Sequence, residues 1–274
     1  MDTTVDLPPE SDTLGHPVSQ AEAWEAAQRC IALLKERFGA TRVIPFGSVV
    51  GQAPWHAGSD LDLAVEGVQP AEFFKAYSAV RKLMPRDLDI DLVPLEDAYP
   101  EIRARILGEV EMPDDPVLRL KDLVADEIKT FERIASQMGE VVGQSASPPT
   151  WVEMSAMAKL VHDFYSSTEG IFKRIAVQFD GGLPQSAHWH VDLLNRMNDA
   201  REGVRPAVIS NYLWALLEEY LDFRHFFRNA YGAELEWVKL RPHVEQMPAT
   251  LAMLKSQLDQ FFATVAPKSQ SENG

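Results

Sequence analysis

The chain has little cysteine and few cations. Cys30 is its one cysteine in 274 residues, so no intrachain disulfide can form. Scarce thiols suit a reducing compartment, and Cys30 itself sits in an apolar helical pattern as a small core residue. Lysine and arginine number 26 against 41 acidic residues, which leaves a net charge of −15. That balance excludes a broad basic footprint for coating nucleic acid and disfavours an anionic membrane surface, while allowing a local basic pocket. No apolar run approaches the ~18 residues of a membrane span. The opening MDTTVDLPPESD lacks the basic n-region and apolar core of a secretory signal. The expectation is a cytoplasmic protein with no membrane partner. The histidines (His16, His56, His162, His188, His190, His225, His243) lack metal-ligand spacing. His188-Trp189-His190 reads as loop or packing.

What is present divides into two compositions. Residues 1–18 are polar and Pro-containing, a loose tail. Ser19-Gln20-Ala21-Glu22 has the form of a capping box and opens a helix ending at Gly39. Strands are expected at Arg42–Phe46, Asp60–Val65 and Leu88–Pro94, with helices over 70–84 and 97–109. A break follows at Glu111-Met-Pro-Asp-Asp-Pro116. From there to about residue 266 the periodicity is helical, over 117–141, 151–180, 186–200, 208–231 and 238–265. The organisation expected is a mixed helix-and-strand domain at 19–112, an antiparallel helical bundle at 117–266 and a tail at 267–274.

In the first domain the chemistry gathers around Gly47-Ser48. After eleven intervening residues comes Asp60-Leu-Asp62, inside an aliphatic run. Strand alternation puts Asp60 and Asp62 on one face. Asp91 and Asp89 follow on the next strand, and alternation alone leaves either as a third carboxylate. Apolar strands accept several carboxylates only where metal or solvent compensates them. Magnesium takes hard oxygen ligands and shares them with substrate phosphates. Gly47 permits a close backbone approach, and Ser48 offers a hydroxyl and an amide.

These residues resemble the minimal nucleotidyltransferases of the polymerase-beta superfamily, the MntA-like antitoxin group, over about residues 21–112. The resemblance implies an α+β nucleotidyltransferase fold, a mixed sheet with flanking helices. It implies ATP as substrate and Mg2+ held by Asp60, Asp62 and Asp91. Gly47 and Ser48 would lie at the triphosphate. It favours Asp91 over Asp89, because Asp91-Leu-Val matches the family's acid-Leu-Val run.

The second constellation lies in Glu218–Gly232. At 100° per residue, Arg224, Arg228 and Tyr231 fall on one helical face. Considered alone, these are basic residues complementing a helix C-terminus, and Phe223, Phe226 and Phe227 are core. The segment resembles the HEPN ribonuclease domain of HepT-like toxins, whose signature is Arg, four residues, His, one residue, Tyr. Arg224 and Tyr231 match it, and Asn229 stands in the histidine's place. His162-Asp-Phe-Tyr165, Phe179-Asp-Gly-Gly-Leu-Pro184 and Val204–Ser210 extend the likeness. The resemblance implies an all-α bundle, a homodimer and RNA at the motif. Asparagine hydrogen-bonds but exchanges no proton near neutral pH, so the departure weakens cleavage before it weakens binding. His225 is adjacent, but one residue along a helix rotates it about 100°.

Together the resemblances imply a fused toxin–antitoxin-type protein in which the first domain moves AMP from ATP to a tyrosine. The acceptor would be Tyr231, on itself, on a dimer partner or on a separate HEPN toxin. Three alternatives stand beside this. One is a ribonuclease toxin regulated by its N-terminal half, another a non-catalytic nucleotide- or partner-binding module. The third is an antibiotic-modifying nucleotidyltransferase, against which the HEPN-like motif argues.

Overall fold

Ser19 closes a reciprocal cap. Its amide donates to Glu22 Oε2 at 2.8 Å, and the Glu22 amide donates back to Ser19 Oγ at 3.3 Å. The Ser19 hydroxyl, donating to Glu22 Oε2 at 2.7 Å, and then the Ser19 amide hold the Glu22 carboxyl below its ordinary value; the cap starts helix α1, Gln20–Phe38, which Gly39 ends in the left-handed region. The computed structural model describes residues 18–56, 58–229 and 235–267. They fall into two units dividing between Glu109 and Val110.

In the first unit α1 is followed by β1 (Arg42–Phe46), a 3-10 turn (Gly47–Val50), β2 (Leu61–Glu66), α2 (Phe73–Arg81), β3 (Ile90–Pro94) and α3 (Pro100–Ile106). The sheet order is β1-β2-β3. β1 runs antiparallel and β3 parallel to β2, giving the small mixed sheet. β1 is an edge strand, which is where Pro45, with no N–H to donate, is tolerated. Alternation along β2 sorts two cores. Leu61, Leu63 and Val65 pack with Ala23, Leu34 and Val80, and Ala64 packs with Leu95 and Ile106 on the opposite side. Cys30 is fully buried, and burial pushes its thiol up to about 11.

Several elements are shorter than their sequence patterns predict. The 70–84 helix opens as a 3-10 turn over Pro70–Glu72 and ends ahead of Pro85. β3 starts at Ile90 because Leu88 is held in a turn, its amide donating to Pro85 O at 3.2 Å. Asp89 and Asp60 therefore lie just outside the strands. α3 begins at Pro100, and Gly108, at φ +70°, follows its end.

The second unit is all helix: α4 (Pro116–Gln144), α5 (Trp151–Phe179), α6 (Trp189–Asn198), α7 (Asn211–Asn229) and α8 (Trp237–Val265). Asp115 caps α4, its carboxylate accepting from the Val117 and Leu118 amides with Pro116 in the first turn. α5 packs against each of the other four helices. Phe164, Ile171, Phe172 and Ile175 along it are buried. Val208 and Ile209 do not start α7 as the pattern predicts. Their amides donate to Met197 O at 2.8 and 3.2 Å, which closes the loop onto α6.

That loop is fixed by a buried ion pair. Arg205 Nε and Nη2 donate to the two Asp180 oxygens, each at 2.8 Å. The remaining guanidinium donors reach the carbonyls of Asp199 and Pro206 at 3.0 Å and Arg196 at 2.7 Å. Both side chains are fully buried. Burying ions is costly, and bidentate geometry with every donor used is what compensates it. Arg205→Ala leaves the Asp180 carboxylate buried with only the outlying Arg201 at 3.3 Å. We expect a loss of about 3–5 kcal/mol, read as a lower urea midpoint for the helical signal in circular dichroism.

Candidate functional site

Two groups of side chains stand out, one in each unit. In the first, the sheet brings together residues that are far apart in the sequence. Asp62 stands directly opposite Asp91 in the parallel register and opposite Phe46, the residue before Gly47, in the antiparallel one. Asp62 is half-buried, and Asp60 and Asp91 are exposed. Gly47 has φ +71°, and a methyl group there would stand 2.3 Å from Asp62 Oδ2. The space a side chain would occupy at position 47 is thus held by the Asp62 carboxylate. The turn is pinned from both ends. The Gly47 amide donates to Gln52 Oε1 at 2.8 Å, and Gln20 Nε2 donates to the Ser48 and Val49 carbonyls at 3.1 and 3.0 Å. Ser59 is buried ahead of β2, its hydroxyl accepting from the His56 amide at 3.0 Å.

Among the described residues, no group of three or more His, Cys, Asp or Glu side chains is arranged to hold a metal ion. The donor set still fits a hard divalent cation. Asp62 and Asp91 face one another across adjacent strands, and the backbone of Gly47 closes against one of them. A cation that arrives with phosphate oxygens and waters needs few protein ligands.

In the helical unit the sequence motif is only partly described. Arg224 lies in α7 with 7% exposure. Asn229 is the last residue of α7 and its side chain falls outside the described residues, as does Tyr231. What surrounds Arg224 was not legible from the motif. Its Nη2 donates to Glu169 Oε1 at 3.5 Å. Its Nε and Nη1 are buried and have no hydrogen-bond partner among the described residues. Glu169, on α5, is 3% exposed and also meets Lys173 Nζ at 3.4 Å and His190 Nδ1 at 2.5 Å. Thus His190 is not in a loop, one of the two places its sequence context suggests. It lies in α6, bonded to a buried carboxylate.

An ionised carboxylate can only accept, so the Nδ1 of His190 carries the proton and Nε2 presents its lone pair. Burial holds the imidazole below its ordinary value, against the opposing pull of Glu169. Trp189 packs on it at 3.6 Å between ring centroids, with Lys173 over the indole at 4.8 Å. His225 meets the His190 ring edge-on at 5.5 Å, so the 100° rotation along α7 turns it toward α6. Tyr165 lies one turn before Glu169. Burial first, then the Glu169 charge, raises its phenol far above the usual range. One sequence signal was available: Tyr165, Glu169 and Lys173 repeat at i, i+4, i+8 on one face of α5.

Residues 156–265 match the family model described as HepT-like protein, a span running from α5 to the end of α8. Neither the curated proteins nor the solved structures yielded a match to the chain. No helix among the described residues is long and apolar enough to cross a membrane.

The contact at position 47 has a direct test. Gly47→Ala combines a left-handed φ with a collision against Asp62, so we expect about 1–3 kcal/mol of destabilisation. Pairing it with Asp62→Ala should return much of that loss, measured as thermal midpoints in a double-mutant cycle.

Proposed function

We propose that the chain is a two-part protein of the toxin–antitoxin type, in which the N-terminal unit transfers AMP from ATP to a protein tyrosine. The observation that carries the reading is the convergence of Gly47, Asp62 and Asp91 at adjoining strand ends. The resemblance of Gly47-Ser48 and Asp60-Leu-Asp62 to the minimal nucleotidyltransferases supplies the reaction class.

Asp60, Asp62 and Asp91 would hold Mg2+, which when bound offsets the triphosphate charge. The chain's own residues do the rest. The Gln20- and Gln52-pinned turn sets the backbone of Gly47 and Ser48 beside the phosphates. The acceptor phenol attacks the α-phosphorus and its proton passes to Asp91. The bond to pyrophosphate breaks and pyrophosphate leaves. Tyr231 is the proposed acceptor, in the same chain, in a dimer partner or in a separate HEPN toxin. An AMP group there places a negative charge and bulk within reach of the motif, opposing RNA binding.

A second reading is favoured by Arg224, whose Nε and Nη1, without a partner among the described residues, suit a phosphate. In it the helical unit is a ribonuclease, or an RNA-binding remnant of one, and the N-terminal half restrains it.

With α-labelled ATP and Mg2+, the full chain is expected to transfer label to protein. Asp62→Asn should lower transfer by at least about 100-fold, the scale for removing a transition-state charge stabiliser. Tyr231→Phe should remove the labelled peptide in mass spectrometry. Transfer that survives Asp60→Asn/Asp62→Asn places the chemistry elsewhere, and no transfer to the chain, a HEPN partner or a small acceptor overturns the reading.

A further inference from the structure

The motif of the helical unit carries asparagine at 229, where a proton-exchanging imidazole is expected. The fold places two imidazoles elsewhere in the same cluster. His190 comes from α6, outside the motif, and its environment is built for one state. Glu169 fixes Nδ1 as the donor, and Trp189 packs against the ring face. The His190 side chain keeps 17% exposure, so Nε2 is shielded without being sealed. Close by lies a guanidinium that is more than nine-tenths buried, with Nε and Nη1 unpartnered among the described residues. Leaving such donors unsatisfied in the interior is costly.

The contrast with Arg205 shows that the cost is not imposed by the fold. There every guanidinium nitrogen finds an acceptor. At Arg224 the unused donors are what an anion with several oxygens would satisfy. An anion site beside an oriented, neutral imidazole is the pairing needed to cleave a phosphodiester that has a neighbouring hydroxyl.

We infer that His190, oriented by Glu169, is the proton acceptor of a phosphodiester-cleaving centre in the helical unit, taking the place the motif leaves to Asn229. The inference rests on the ribonuclease reading of that unit. With a phosphate held on Arg224, the ribose 2′-hydroxyl gives its proton to His190 Nε2. The O2′–P bond forms and the P–O5′ bond breaks, its electron pair going to O5′, which takes a proton from water. The products are a 2′,3′-cyclic phosphate and a 5′-hydroxyl, and His190 returns its proton to the hydroxide left in solution. Glu169 acts as a positioning residue. Among the described residues, the charged and titratable groups acting on His190 are Glu169 from α5 and Arg224 and His225 from α7, with Lys173 on the far side of Glu169 and over Trp189.

The test uses the full chain, shown by intact mass to carry no adduct, with a fluorogenic single-stranded RNA. His190→Ala should lower kcat/KM by about 100-fold or more, the ordinary weight of a general base. Added imidazole should restore part of the activity, which a merely structural role would not allow. In wild type the rate should rise with pH through a midpoint below the usual histidine value, because deprotonated His190 is the active form and burial favours it. His190→Gln, checked for an unchanged melting temperature, should lose that limb. Glu169→Gln should lower kcat more than it raises KM. RNA cleavage that persists in both His190 variants and is lost in Arg224→Ala overturns the inference while the ribonuclease reading stands. RNA neither bound nor cleaved by wild type overturns both.

Discussion

A carboxylate taken out of water must be met by positive charge and hydrogen bonds, and the helical unit is organised around two of them. Asp180, at the end of α5, is met on both oxygens by Arg205, with Arg201 at 3.3 Å, and the other Arg205 donors reach the backbone around the loop between α6 and α7. Glu169, eleven residues earlier, is met by three different side chains from three helices. The first arrangement leaves nothing over, and α6 and α7 are tied to α5 by it. The second leaves a guanidinium whose Nε and Nη1 have no partner among the described residues. One helix thus carries two buried carboxylates, distinguished by how fully the cation that meets each is satisfied.

The sequence patterns made the architecture legible where periodicity is strong. The capping box at Ser19, the proline start at Pro116 and the helical content after it follow from local chemistry, and α1, α4 and α5 appear close to where their patterns put them. Ends were less legible wherever a tertiary hydrogen bond outweighs propensity. Val208 and Ile209 have helical spacing but give their amides to Met197. Asp60 and Asp89 alternate like strand residues but lie just before β2 and β3, because Leu61 donates to the Asp89 carbonyl at 2.9 Å as the ladder begins.

The candidate sites divide in the same way. Gly47, Asp62 and Asp91 stand out because glycine and acid are unusual in apolar runs, and the sheet register brings them together. Their contact was not legible, since no spacing rule says that a glycine is small for the sake of a carboxylate fifteen positions on. Arg224 was found through its motif. Glu169 and His190 were not, because a buried acid in a helix and a histidine after a tryptophan each have a common, bland explanation. Only the packing of α5 against α6 joins them, 21 residues apart in the chain.

The contact between Gly47 and Asp62 also bears on how the first unit tolerates change over generations. The turn and the strand share one small volume, so a side chain added at position 47 must displace the Asp62 carboxylate. The room at one position is set by the size of the other, and substitutions at these two places, fifteen residues apart, have coupled costs.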